Sequence, residues 1–126
     1  MYKKLMLVVT LTLLLLTGCK KNTELILIEP YKMTDHNIKT MNSEKEQGVY
    51  EISSSEKQII IYRGIENGIK TMSYSIKNNM LTIFFETEEL DQPKDFAYII
   101  KSTSSFDYIQ ILIDGKEETF KTIFTE

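Results

Sequence analysis

The second half of the chain alternates apolar and polar residues with the period of two that is typical of β-strands. One alternating stretch, 72–76, is followed by Asn78-Asn79 and by a second one, 81–85, which predicts a β-hairpin closed by a tight turn. Asp114-Gly115 has the residues of another such turn. Further strands are predicted over 96–101, 108–113 and 120–124.

The pattern before residue 50 is weaker. The apolar stretch 25–28, bounded by Pro30, predicts a first strand that is buried on both faces. The following segment, 34–48, is mostly polar. Ile38 and Met41, with Met33 just before the segment, lie loosely on one helical face, which predicts either a short helix or an irregular excursion.

Two periods fit the segment 55–72. Ile61, Ile65 and Ile69 recur at helical spacing, which would suit a helix over 55–70. Against this, the run 59–62 is β-branched and aromatic, and Gly64 would weaken a helix by about 1 kcal/mol. We favour a strand over 58–63 followed by a loop bounded by glycines, and we keep the helix as the alternative.

These elements predict a mainly β fold. Six or seven strands with short polar turns indicate a small antiparallel sandwich or partly open barrel, with room for one short helix, and a helix over 55–70 would make the fold α+β instead. The whole chain has 126 residues, of which 42% are hydrophobic and 26% charged. This composition suits one folded domain, which we place at 24–126.

The N-terminus has the pattern of a targeting segment. Lys3 and Lys4 precede the apolar run 5–16, in which Thr10 and Thr12 are the polar residues. A twelve-residue helix is only about 18 Å long, which is too short for a hydrocarbon core of about 30 Å. The single Ala of the chain is Ala97, so this leader has no A-x-A site for an ordinary signal peptidase.

Leu16-Thr17-Gly18-Cys19 follows this run and resembles the lipobox of bacterial lipoproteins. The resemblance implies a lipoprotein signal peptide over 1–18, cleavage between Gly18 and Cys19, and a diacylglyceryl group on the Cys19 thiol, with palmitate among its acyl chains. Residues 19–23 would then be the anchor and a short linker. The covalent lipid is the one attached group that we expect.

This resemblance also predicts a location. The domain would be held at the cell membrane and face outward, or lie at the outer membrane if the organism has two membranes. Two acyl chains hold a protein at a bilayer far more firmly than one, because each buried methylene contributes about 0.8 kcal/mol.

Composition disfavours several functions. The formal charge of -3 and the sequence pI near 5.3 supply no positive field for a polyphosphate, so we expect no nucleic-acid partner. The chain has one His and one Cys, so it has few of the side chains that bind zinc or that act as nucleophile and base in catalysis. We therefore expect no enzyme and no cofactor. His36 lies in a polar segment, where a solvated surface position is the simpler interpretation.

Acidic residues concentrate between 86 and 95. Glu86, Glu88, Glu89 and Asp91 could offer oxygens to a hard cation such as Ca²⁺, although their spacing is not that of an EF-hand. A solvated connection between strands is the other interpretation. Four tyrosines lie in predicted strands and could form either core packing or a binding platform: Tyr62, Tyr74, Tyr98 and Tyr108.

The segment 59–64, the hairpin after it and the strand over 96–101 resemble the C-terminal module of PrcB-type protease-complex subunits. Such modules carry a Gly-Gly-Tyr turn after the first strand, whereas this chain has Glu66-Asn67-Gly68-Ile69. The resemblance implies a β-rich accessory module that binds a protein and does not catalyse a reaction.

The sequence therefore predicts a membrane-anchored, extracytoplasmic lipoprotein that works as a small non-catalytic binding or accessory module in the cell envelope. Its partner would be a protein or another envelope component. Two alternatives stay open at this point. One is a cation-binding or enzymatic domain that uses the acidic segment 86–95, and the other is a passive structural lipoprotein of the envelope.

Overall fold

A computed structural model describes residues 26–102 and 106–126. Nine strands and one helix lie within these ranges. The strands are β1 (Ile26–Pro30), β2 (Gly48–Ser53), β3 (Gln58–Gly64), β4 (Asn67–Lys77), β5 (Met80–Glu89), β6 (Lys94–Ser102), β7 (Tyr108–Ile113), β8 (Lys116–Glu118) and β9 (Thr122–Thr125). The helix is α1 (Asp35–Met41). No helix of the described ranges is long and apolar enough to cross a membrane.

The strands form two sheets that do not close into a barrel, so the predicted small β-sandwich is confirmed. The five-stranded sheet has the order β1-β6-β3-β2-β9, and the four-stranded sheet has the order β4-β5-β7-β8. Most neighbours are antiparallel, as predicted, but β2 and β9 are parallel and so are β5 and β7. Two parallel neighbouring strands need a long connection. The connection from β5 to β7 contains β6, which belongs to the opposite sheet.

The five-stranded sheet is buried on both faces. One face packs against the four-stranded sheet, with Ile60 and Tyr62 among its core residues and Ile83 and Phe85 on the opposite side. The other face forms a second core with α1, in which Met41 is fully buried. The residues that complete this second core are Tyr50, Ile52, Ile59 and Ile61.

The strand interpretation of 58–63 is confirmed, and the alternative helix over 55–70 is wrong. Alternate residues of β3 enter different cores, since Ile60 faces the other sheet and Ile59 and Ile61 face α1. Only a strand delivers adjacent side chains to opposite faces in this way. Gly68 allows close packing, because a Cβ atom there would lie 2.7 Å from the Phe96 ring.

Local signals predict the tight turns correctly, and of the two alternatives left open for 34–48 the structure has the short helix. Asn78 and Asn79 have φ angles of 52° and 63°, and Asp114 and Gly115 have φ angles of 50° and 84°, as a type I′ turn requires. In α1, Thr34 and Asn37 form a capping box.

The prediction of a first strand buried on both faces is wrong, because β1 is an edge strand and Leu27 is 43% exposed. The pattern also missed β2, in which the buried Glu51 interrupts an apolar run.

Candidate functional site

The predicted lipidation and cleavage residues, Gly18 and Cys19, lie outside the described residues, as does the whole leader 1–18 with the linker 19–23. The anchor therefore stays a prediction.

Three of the four acidic residues lie in a strand and not in a connection between strands, and the fourth follows the strand. Glu86, Glu88 and Glu89 belong to β5, where neighbouring side chains point to opposite faces, and Asp91 follows the strand. The Thr71 hydroxyl donates a hydrogen bond of 2.6 Å to Glu86 Oε1. Within residues 26–102 and 106–126, no three His, Cys, Asp or Glu side chains converge as a metal site would require.

The last acidic residue of this segment has a structural role. Asp95 accepts hydrogen bonds from Arg63 Nε at 2.8 Å and from Arg63 Nη2 at 2.6 Å. Arg63 Nη1 donates to the carbonyl oxygens of Met41 and Glu44, both at 2.7 Å. The hydrogen bond to Asp95 is the main cause that raises the pKa of Arg63. This guanidinium ties the end of α1 to the five-stranded sheet.

His36 lies on the surface, as expected. Its Nε2 atom is 2.7 Å from Glu126 Oε2, and its side chain is 72% exposed. A pair so open to solvent adds little stability and does not have the buried geometry of a catalytic pair.

The tyrosines of the predicted strands do not form one binding platform. Tyr62, Tyr74 and Tyr98 pack against the core between the sheets. Burial raises the pKa of Tyr62 and of Tyr98. Tyr108 differs from these three, since it is 69% exposed.

An open groove of about 960 Å³ lies at one end of the sandwich. We call it the end groove. Both sheets and the β2–β3 turn contribute to it. Its apolar lining is Ile99, Ile100, Phe106, Tyr108, Ile109, Phe120 and Ile123. Polar and charged residues also line it, among them Glu56, Lys57 and Lys101. Apolar surface combined with polar groups is the usual form of a binding site.

Hydrogen bonds hold both walls of the end groove. In the β2–β3 turn, Ser54 N donates to Lys57 O at 2.8 Å, and Lys57 N donates to Ser54 Oγ at 3.1 Å. On the opposite wall, Asp107 N donates to Asn79 O at 2.8 Å. The contact between Asp107 and Asn79 connects segments that are far apart in sequence, so the hydrophobic pattern did not reveal the groove.

Gln58 lines the end groove and donates from its Nε2 atom to Glu51 Oε2 at 2.7 Å. Glu51 is only 7% exposed, so the Gln58 amide provides a hydrogen-bond donor to a carboxylate that is largely buried. The bond also holds Gln58 in one orientation at the groove wall.

Comparison with known protein families, curated proteins and solved structures finds no match to this chain. The resemblances to bacterial lipoproteins and to PrcB-type modules therefore stay predictions from the residues.

Proposed function

We propose that this chain is a membrane-anchored, extracytoplasmic lipoprotein whose β-sandwich is a non-catalytic binding module, and that its ligand occupies the end groove. One observation carries the proposal. The end groove, with apolar side chains from both sheets in its lining, lies at the end where the chain enters the fold from the predicted lipid anchor.

The register of β1 supports this arrangement. Ile26, the first described residue, pairs with Ser102, which lines the end groove. Cys19 precedes Ile26 by seven positions. At about 3.5 Å per residue this segment reaches at most about 25 Å. A lipid on Cys19 would therefore keep the end groove near the headgroups, within reach of partners at the membrane.

The lining indicates the class of ligand. The apolar residues of the end groove would bury apolar groups, while the open shape suits an elongated segment better than a compact metabolite. We therefore propose that the partner is an extended segment of an envelope protein that inserts apolar side chains.

The chemistry of the described residues also supports binding over catalysis. Arg63 and Asp95 hold α1 against the sheet, and His36 pairs with Glu126 on the surface. These four side chains thus form structural contacts with one another and do not line the end groove.

The proposed lipid anchor and leader cleavage are tested by the intact mass of the protein extracted from its native membrane. We expect residues 19–126 with two or three acyl chains. Cys19→Ser should abolish acylation and should either release the protein or leave its leader uncut. The neighbouring change Lys20→Ala should leave acylation, membrane attachment and leader cleavage unchanged. An unmodified mass that includes Met1 would contradict the anchor.

Photo-crosslinking in cells tests the binding site. A benzophenone amino acid at Phe120 places the reactive group in the end groove, and the same amino acid at Ile38, which is 45% exposed on α1, is the control. We expect one defined protein adduct from position 120 and none from position 38. Equal labelling from both positions, or no adduct from position 120, would contradict a partner in the end groove.

A further inference from the structure

The four-stranded sheet has one long free edge. β4 has 11 residues and pairs with β5 along one side, and no strand of the described ranges pairs with its other side. The other edge strands are much shorter, since β1, β8 and β9 have 5, 3 and 4 residues. An unpaired strand edge presents amide and carbonyl groups that a further strand can bind.

The two ends of β4 carry features that discourage pairing, but its middle does not. Lys70 lies at a register shift near one end, and Lys77 closes the other. Charges and bulges are the usual means by which an edge avoids a second strand. Residues 72–76 contain no charge, proline, glycine or bulge. We call this stretch the open edge.

The hairpin register shows which backbone groups point outward. Asn78 and Asn79 form a two-residue turn, so Lys77 and Met80 are the hydrogen-bonded pair that closes it. Pairs alternate from there along an antiparallel ladder. The amide and carbonyl groups of Met72, Tyr74 and Ile76 therefore point away from β5. Their side chains are half-buried, so a neighbour would also cover apolar surface.

We propose that the open edge binds the open edge of a second copy of this chain, antiparallel, with the twofold axis at Tyr74. The order of residues supports a twofold partner, because Met72-Ser73-Tyr74-Ser75-Ile76 has the same classes of side chain in either direction. In this register Met72 lies opposite Ile76 of the second copy, and Ser73 lies opposite Ser75. The two four-stranded sheets become one continuous sheet.

Charge complementarity supports the same register. Lys77 comes to lie opposite Thr71 of the second copy. The Thr71 hydroxyl donates to Glu86 Oε1 at 2.6 Å, which places this carboxylate beside the open edge. Each Lys77 ammonium therefore meets Glu86 of the other copy, and twofold symmetry produces the ion pair twice. A foreign strand would have to bring its own complementary charges, whereas a second copy always has them.

Matched charge variants test this dimer in the purified full-length chain by sedimentation velocity. Ser73 and Ser75 are exposed and lie outside the core, so both variants should fold. S73K/S75K places two pairs of positive charges opposite each other across the interface and should weaken dimerisation about tenfold. S73K/S75E puts opposite charges at the same positions and should dimerise at least as well as the parent chain.

Cysteine crosslinking tests the register. Mixing the S73C and S75C variants, each made in the Cys19→Ser chain so that it has one thiol, should produce disulfide-linked dimers that neither variant forms alone, because the proposed pairing puts residue 73 beside residue 75 of the other copy. The parent chain, whose single cysteine is Cys19, is the control. A parent chain that stays monomeric, or a dimer that S73K/S75K leaves unchanged, would overturn the proposal. Binding of an unrelated extended peptide at this edge, without dimers, would overturn it too.

Discussion

Arg63 and Asp95 lie directly opposite each other on β3 and β6, and their side chains form an ion pair with two parallel hydrogen bonds. The same guanidinium donates to the carbonyl oxygens of Met41, the last residue of α1, and of Glu44, three positions later. One side chain thus connects the layer that contains the helix to two strands of the five-stranded sheet. The two side chains are 16% and 22% exposed, so solvent weakens their interaction less than that of a surface pair.

Removing this arginine should destabilise the domain. We expect Arg63→Ala to lower the free energy of unfolding by about 2 to 4 kcal/mol, because Asp95 and two carbonyl groups lose their donors. Arg63→Lys should lose about half as much, since an ammonium group cannot reproduce the planar fork. Chemical denaturation checks both values. The exposed pair of Lys101 and Glu29 is the control, and Lys101→Ala should change stability by less than about 0.5 kcal/mol.

The two apolar residues of α1 should respond differently to truncation. Met41 is fully buried in the second core, and Met41→Ala should cost about 2 to 5 kcal/mol because it leaves a cavity. Ile38 is 45% exposed on the same helix, so Ile38→Ala should cost less than about 0.5 kcal/mol. Thermal and chemical unfolding of the two variants measure the difference. Equal losses would show that α1 is not packed as described.

The Gln47 side chain should stabilise the β3–β4 connection. Its Oε1 atom accepts hydrogen bonds from the backbone N–H groups of Ile65, Glu66 and Asn67 at 2.8, 2.8 and 3.0 Å. We expect Gln47→Ala to cost about 1 kcal/mol and to speed amide hydrogen exchange at these three positions. Gln47→Glu keeps the acceptor and should preserve their protection. Unchanged exchange in the alanine variant would argue against this contact.

Asp114 should make stability depend on acid pH. Hydrogen bonds from the Thr87 hydroxyl at 2.6 Å and from the Thr87 backbone N–H at 3.0 Å lower the pKa of Asp114 below its usual 3.8. Because the folded pKa is the lower one, this contribution is present above the unfolded pKa and disappears as the pH falls through the folded pKa.

Asp114→Asn isolates that effect. Asparagine tolerates the positive φ angle of 50° at this position and keeps an acceptor oxygen, but it does not titrate. The parent chain should therefore lose more stability than the variant between neutral pH and about pH 2. Denaturation curves across this range measure the difference. Parallel pH profiles would contradict the coupling between Asp114 and Thr87.

Turn residues in the sequence predicted the two tight turns, because the conformation of a turn depends on the backbone preferences of a few neighbouring residues. The turns at Asn78-Asn79 and Asp114-Gly115 need positive φ angles, which these residues adopt at low cost, so the hairpins follow from a few positions. The ambiguity at 55–70 had another cause. Ile59, Ile60 and Ile61 fit a helix or a strand by themselves, and burial of both faces of β3 selects the strand.

The residues of the candidate site also depend on contacts between distant segments, which the sequence pattern did not indicate. Asp95 was predicted as part of an acidic cluster, but its partner Arg63 is 32 positions away and no local pattern connects them. The end groove combines residues of the β2–β3 turn, β6, β7 and β9, so it exists only after the two sheets have packed.

By itself, the sequence determined the mainly β class, the tight turns and, through Leu16-Thr17-Gly18-Cys19, the prediction of a lipid anchor, while it allowed the short helix as one of two alternatives. Each of these depends on neighbouring residues, whose period and backbone preferences act over a few positions. Tertiary structure decided the two parallel strand pairs, the second core under α1, the end groove and the open edge of β4. These features arise from contacts between distant segments, where burial and hydrogen-bond partners exist only once the chain has folded.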